Sequence, residues 1–119
     1  MAKILIVEDN PDSMKLFRAV LALRGHVLLG LTGGEGLLEV LRAERPDVVL
    51  LDIQLPGEDG FQLLTLLKNS GEALPPIVAL TAHAMSGDRE KAIKAGFDGY
   101  LTKPIEVMTF GEEVENYLK

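Results

Sequence analysis

The chain has 119 residues, 47% of them hydrophobic and 25% charged, which suits one compact domain over 1–119 with a core large enough to need no staples. It has no cysteine, which excludes a disulfide framework and a thiolate metal site and agrees with a cytoplasmic setting. A net charge of -6 argues against direct binding to nucleic acid or to an anionic membrane surface, and no apolar run approaches the roughly 20 residues of a transmembrane helix.

In chain order, Lys3 to Val7 is a short, β-branched apolar run that reads as a strand, closed by Glu8-Asp9. Asn10-Pro11 is a helix start, with asparagine at the cap and proline in the first turn. The pattern from Asp12 to Arg24 sets Met14, Phe17, Val20 and Leu21 on one side, and Gly25 follows as a stop. His26 to Leu31 is a weaker strand candidate. Gly34 to Ala43 is the second helix, carrying Leu37, Leu38 and Leu41. Asp47 to Leu51 is a strand ending on Asp52. Asp59 to Asn69 is a helix with Phe61, Leu64 and Leu67, stopped by Gly71. Ile77 to Leu80 is a strand ending on Thr81. Ser86 to Ala95 is a helix with a charged face, stopped by Gly96. Gly99 to Thr102 is a strand leading to Lys103-Pro104, and Glu106 to Leu118 is the last helix.

Five strands, three of them uniformly apolar, alternating with five helices define an α/β fold with a parallel sheet and helices on both faces. At this length the expected architecture is a flavodoxin-like doubly wound (βα)5 three-layer sandwich with strand order 2-1-3-4-5. In that order, ligands bind at the carboxyl ends of the strands. Glu8, Asp9, Asp52, Thr81 and Lys103 all fall on that edge. Three carboxylates brought together by neighbouring strands repel one another, so something must neutralise them. A hard cation with oxygen ligands and retained water, Mg2+, suits such a cluster. Lys103 and the Thr81 hydroxyl can meet an anion held by that cation, which makes a phosphoryl site with Asp52 as the attacking carboxylate.

The runs ILIVEDN at 4 to 10, VVLLDIQLPGEDG at 48 to 60, IVALTA at 77 to 82 and GYLTKPI at 99 to 105 resemble the response-regulator receiver family. Each motif alone is weak, but four in register along the whole chain are specific. The resemblance implies that Asp52 accepts a phosphoryl group from a histidine kinase or histidine phosphotransfer protein. It implies that Asp9, Asp52 and the backbone carbonyl of Gln54 bind Mg2+, with Glu8 acting through a bound water. Thr81 and Lys103 are then expected to contact phosphoryl oxygens, and Pro104 matches a proline preceded by a cis peptide bond. Thr81 and Tyr100 match the switch pair that alters a face of helix four, strand five and helix five, read by a downstream protein target. The kinase is expected to dock near Pro11, Ser13 and Leu16. Such a module is not an enzyme beyond its own phosphorylation and dephosphorylation. A phosphatase with an aspartate nucleophile needs a second aspartate where Gln54 stands, and the acidic run Glu8-Asp9-Asn10-Pro11 disfavours a flavin phosphate. A pseudo-receiver is disfavoured because every acid-pocket position is filled.

Other residues read more plainly. His26 and His83 are incidental rather than metal ligands, His83 bordering the site two residues after Thr81. Thr32-Gly33-Gly34-Glu35-Gly36 lacks the spacing of a phosphate-binding loop and reads as a connection into helix two. Leu37 stands where the family often has alanine. Gly111, inside the last helix, is expected to cost up to about 1 kcal/mol against alanine and to loosen that helix.

Overall fold

The computed structural model describes residues 2–55, 57–82 and 88–118. Five strands, β1 (Lys3–Val7), β2 (Val27–Leu31), β3 (Val48–Asp52), β4 (Ile77–Thr81) and β5 (Gly99–Thr102), form one parallel sheet in the order 2-1-3-4-5. This is the expected doubly wound arrangement. The helices are α1 (Pro11–Leu23), α2 (Leu37–Glu44), α3 (Gly60–Lys68), α4 (Asp88–Ala95) and α5 (Val107–Glu115), the last running into a 3-10 turn at Asn116–Leu118. A two-residue-per-strand hairpin, Gln54–Leu55 against Glu58–Asp59, lies outside the sheet and was not expected.

The side chains of the central strands alternate between two cores, which is why those strands carry no polar face. Leu5, Val7, Val49, Leu51, Ile77 and Ala79 pack with Leu37, Leu41, Leu64, Leu67 and Ala92 from α2, α3 and α4. Ile4, Ile6, Val48, Leu50, Val78 and Leu80 pack on the other side with Phe17 and Leu21 of α1 and Phe110 and Val114 of α5. Leu37 is fully engaged in the first of these cores, at 1% exposure.

Helix starts follow local chemistry. Asn10 Oδ1 accepts the Ser13 N–H at 2.9 Å with Pro11 in the first turn, and Asp59 Oδ1 accepts the Phe61 N–H at 2.8 Å. The second helix begins three residues later than expected, at Leu37. Gly36 sits at its cap with φ 81°, a left-handed conformation that glycine adopts without a Cβ penalty, so Gly34 and Glu35 belong to the preceding loop. The fourth helix is described from Asp88; its expected start at Ser86 and the residue His83 lie outside the described residues.

Gly111 has a spatial role in the last helix. It is buried, and a Cβ there would collide with the Arg24 side chain at the end of α1. The missing side chain lets Arg24 lie across α5 and reach Glu115, with Nε–Oε2 at 2.7 Å and Nη2–Oε1 at 2.6 Å. His26 joins them. Its Nδ1 accepts the Ala2 N–H at 3.1 Å, which leaves the ring proton on Nε2 to donate to Glu115 Oε2 at 2.7 Å. Arg24 first, and His26 second, hold the Glu115 carboxyl at about 2, below its ordinary 4.5. A carboxyl lowered in the folded state adds stability that is fully present above its unfolded value and is lost as pH falls through the folded one. The melting-temperature gap between the native chain and Glu115→Gln is therefore expected to be widest above about pH 4.5 and to close towards about pH 2. A gap independent of pH across that window would count against the ion pair.

Candidate phosphoacceptor site

The acidic residues come together because two neighbouring strands end side by side. In the β1–β3 pairing, Val7 lies opposite Leu51, so the next residues outward are Glu8 and Asp52. Glu8 remains in the ladder, its N–H donating to the Leu31 carbonyl at 2.9 Å. Asp52 lies opposite Leu80, one residue before Thr81. Glu8, Asp52 and Thr81 are each 1% exposed, whereas Asp9 is more open to solvent. Carboxylate oxygens of Glu8, Asp9 and Asp52, one from each, lie within 4.8 Å of one another. They line an open cleft at the carboxyl edge of the sheet, together with Asn10, Ser13, Gln54, Ala82, Lys103 and Pro104.

Lys103 enters this cleft from the end of β5, where its N–H donates to the Thr81 carbonyl at 2.7 Å and the peptide bond to Pro104 is cis. Its ammonium bridges two carboxylates, donating to Glu8 Oε1 at 2.7 Å and to Asp52 Oδ2 at 2.8 Å. The sequence reading paired Lys103 with an incoming anion; here the anions it meets are the acid pocket's own. Part of the neutralisation that the cluster demands is thus supplied by the protein. The other oxygens are also engaged: Asn10 N–H donates to Glu8 Oε2 at 3.1 Å and Gln54 N–H to Asp52 Oδ1 at 2.8 Å. Among the described residues no buried side-chain nitrogen or oxygen lacks a hydrogen-bond partner.

Burial, with Asp52 adding to it, pushes the Glu8 carboxyl above its ordinary range, against the pull of Lys103 and the Asn10 N–H. Burial pulls the Lys103 ammonium down, but hydrogen bonds to Asp52 and Glu8 and their charges outweigh it, and the net direction is upward. Lys103 is therefore a firmly charged cation between two buried acids.

Oxygen donors from three carboxylates fit a hard divalent ion such as Mg2+. Tyr100 is half-buried on β5, opposite Ala79 of β4, and packs against the core shared by α2, α3 and α4. A tight turn closes the loop after Asp52. The Gly60 N–H reaches the Ile53 carbonyl at 3.2 Å, and a Cβ on Gly60 would run into the Ile53 backbone. The sequence reading missed the hairpin at 54–59 and its tie to the glycines at 33 and 34. The signal available was a pair of consecutive glycines, read only as a connection.

A receiver-domain fold with an acid cleft at its carboxyl edge agrees with what comparison with known proteins finds. The family model for the response regulator receiver domain matches residues 4–115, and the chain belongs to that family. Receiver domains are signalling modules rather than conventional enzymes, and they bind Mg2+ at an acidic pocket. The chain is 40% identical over 116 residues to the polar-differentiation response regulator DivK of Brucella anthropi, covering 97% of this chain and 94% of that protein. Among solved structures it resembles the BeF3-activated N-terminal receiver domain of RstA from Klebsiella pneumoniae, with TM-score 0.87, 31% identity and 98% of each chain covered. It also resembles the receiver domain of the sensor histidine kinase PA1611 from Pseudomonas aeruginosa, which has a magnesium ion coordinated in its active-site cleft. That match has TM-score 0.85 and 30% identity, and covers 98% of this chain and 97% of that one. Among the described residues no helix is long and apolar enough to cross a membrane.

Proposed function

We propose that the chain, over 1–119, is a phosphoryl-accepting receiver that takes a phosphoryl group on Asp52 from a histidine kinase or histidine phosphotransfer protein in the cytoplasm. The observation that carries this reading is the bridging of Glu8 and Asp52 by Lys103 at the carboxyl edge of the sheet. A buried carboxylate held at both oxygens, one by an N–H and one by an ammonium, is an oriented nucleophile. An Asp52 oxygen attacks phosphorus as the bond to the donor's imidazole nitrogen breaks. The electron pair leaves with that nitrogen, and an acyl phosphate forms. Asp9, Asp52 and the Gln54 carbonyl are the proposed ligands for Mg2+, with Glu8 acting through water; when bound, the ion offsets charge on the phosphoryl oxygens. Lys103 and the Thr81 hydroxyl are the proposed contacts from the protein to those oxygens.

Output is proposed to pass by protein contact through α4, β5 and α5. Recruitment of Thr81 towards the phosphoryl group and repacking of Tyr100 would shift the population between two arrangements of that face. The half-buried setting of Tyr100, against the core that includes Ala92 of α4, supports the link.

The test is intact mass after incubation with Mg2+ and acetyl phosphate. One Mg2+-dependent phosphoryl adduct is expected on the native chain and none on Asp52→Asn. An adduct that survives in Asp52→Asn would move the acceptor elsewhere. No adduct on the native chain, even with a panel of histidine kinases, would favour a receiver that works unphosphorylated.

A further inference from the structure

The hairpin beside the acid cleft is tied to a part of the chain that phosphoryl chemistry does not touch. Glu58 Oε2 accepts the N–H of Gly34 at 2.9 Å, from the loop between β2 and α2. A Cβ on Gly33 would come within 2.8 Å of the same oxygen and meet no other described residue, and one on Gly34 would come within 2.7 Å of Glu58 Oε1 and 2.5 Å of Leu63 Cδ2 on α3. Neither glycine has a left-handed backbone, so what they supply is room. The carboxylate lies against two backbone units that any other residue would close off.

The hairpin needs such an anchor. Among the described residues it contains the pairs Gln54–Asp59 and Leu55–Glu58, and an isolated two-stranded hairpin is marginal even when longer. Its first residue faces the site directly, since the Gln54 N–H is the donor on Asp52 Oδ1. The residue after its second strand, Gly60, is fixed against the Ile53 carbonyl. Glu58, paired with Leu55 next to Gln54, reaches across to a different loop.

We propose that Glu58 is a positioning residue for the acid pocket. Seated on Gly33-Gly34, its carboxylate holds the hairpin so that the Gln54 backbone keeps its N–H on Asp52 and its carbonyl available to a cation. The inference rests on the reading of Asp52 and Gln54 given above, and it adds a route by which the loop before α2 sets the affinity of the pocket.

Two readouts on the full chain test it, for Glu58→Ala, Glu58→Gln and Gly33→Ala. The first is hydrogen exchange of the Gln54 amide without Mg2+, and the second is Mg2+ affinity by calorimetry. In Glu58→Ala the Gln54 amide is expected to exchange about tenfold faster, the scale of one hydrogen bond to a charged acceptor. Amides in the middle of β3 should keep their native rates, which separates a local release from general destabilisation. Mg2+ binding should weaken by a similar factor. Glu58→Gln retains an acceptor for the Gly34 N–H and should stay near native. Gly33→Ala retains the carboxylate but closes its seat, meeting Glu58 alone, and should reproduce Glu58→Ala. Native exchange at Gln54 in both Glu58→Ala and Gly33→Ala overturns the proposal, as does Mg2+ binding by the native chain whose affinity is unchanged in both variants. If Glu58→Ala frees the Gln54 amide but the native chain takes up neither Mg2+ nor a phosphoryl group, the anchoring of the hairpin is upheld and the phosphoacceptor reading is what fails.

Discussion

Lys103→Met is expected to destabilise the chain by roughly 3–5 kcal/mol at neutral pH without divalent cation, the cost of leaving buried charges unpaired. The substitution keeps the length of the side chain and removes its charge, so Glu8 and Asp52, each 1% exposed, face one another with no cation between them. Burial already raises the Glu8 carboxyl, and loss of the ammonium removes the largest influence opposing that rise. The deficit should therefore shrink as pH is lowered and Glu8 takes up a proton. Mg2+ should restore part of the loss, because it replaces one cation in the cluster with another, and the variant should gain more from Mg2+ than the native chain does. Urea titrations of both chains, with and without Mg2+ at two pH values, measure all of this. Equal midpoints for the two chains throughout would mean that the paired hydrogen bonds of Lys103 contribute nothing to folding.

A loss of comparable size is expected on the opposite side of the sheet from α2, α3 and α4. Phe110 is 1% exposed and stacks on Phe17 with ring centroids 5.3 Å apart, joining α5 to α1 over the β1, β3 and β4 side chains Ile4, Leu50 and Val78. Phe110→Ala removes the ring and leaves a cavity between two helices that cannot both close on it, at about 3–5 kcal/mol. Leu23→Ala is the control: Leu23 is 90% exposed on α1, and its truncation should fall within about 0.5 kcal/mol of native. The denaturant dependence should be unchanged in both variants, so that the shift in midpoint reads stability alone. A Phe110→Ala variant as stable as Leu23→Ala would mean that α5 is not fixed to the sheet through this ring.

Much of this architecture is legible in the sequence, for a physical reason. Strands buried on both faces must be apolar throughout, so LVIL-type runs such as Val48 to Leu51 announce a central parallel strand, and the polar residue ending each run marks the carboxyl edge. That is enough to bring Glu8, Asp52, Thr81 and Lys103 to one place. What the sequence does not announce are contacts between residues remote along the chain. Lys103 meets Glu8 and Asp52 across 95 and 51 positions, and nothing in the local pattern distinguishes a lysine that waits for an anion from one already paired. The hairpin at 54–59 is too short to show a period. The start of α2 lies at Leu37 rather than Gly34, whose N–H is committed to Glu58. Gly111 was read through helix propensity alone; its reason lies in Arg24, 87 positions away by the numbering of the chain.

The His26 ring has one further consequence. It touches the Ala2 backbone with one nitrogen and Glu115 with the other, so the first strand and the last helix meet across the width of a single imidazole. Ala2 and the end of α5 thus lie side by side, next to the start of β2. The acid cleft opens at the far edge of the sheet, a strand's length away, about 15 Å. A fold with Ala2 and the end of α5 side by side and its acid cleft at the opposite edge of the sheet can have those two points joined and be cut elsewhere with the cleft left clear.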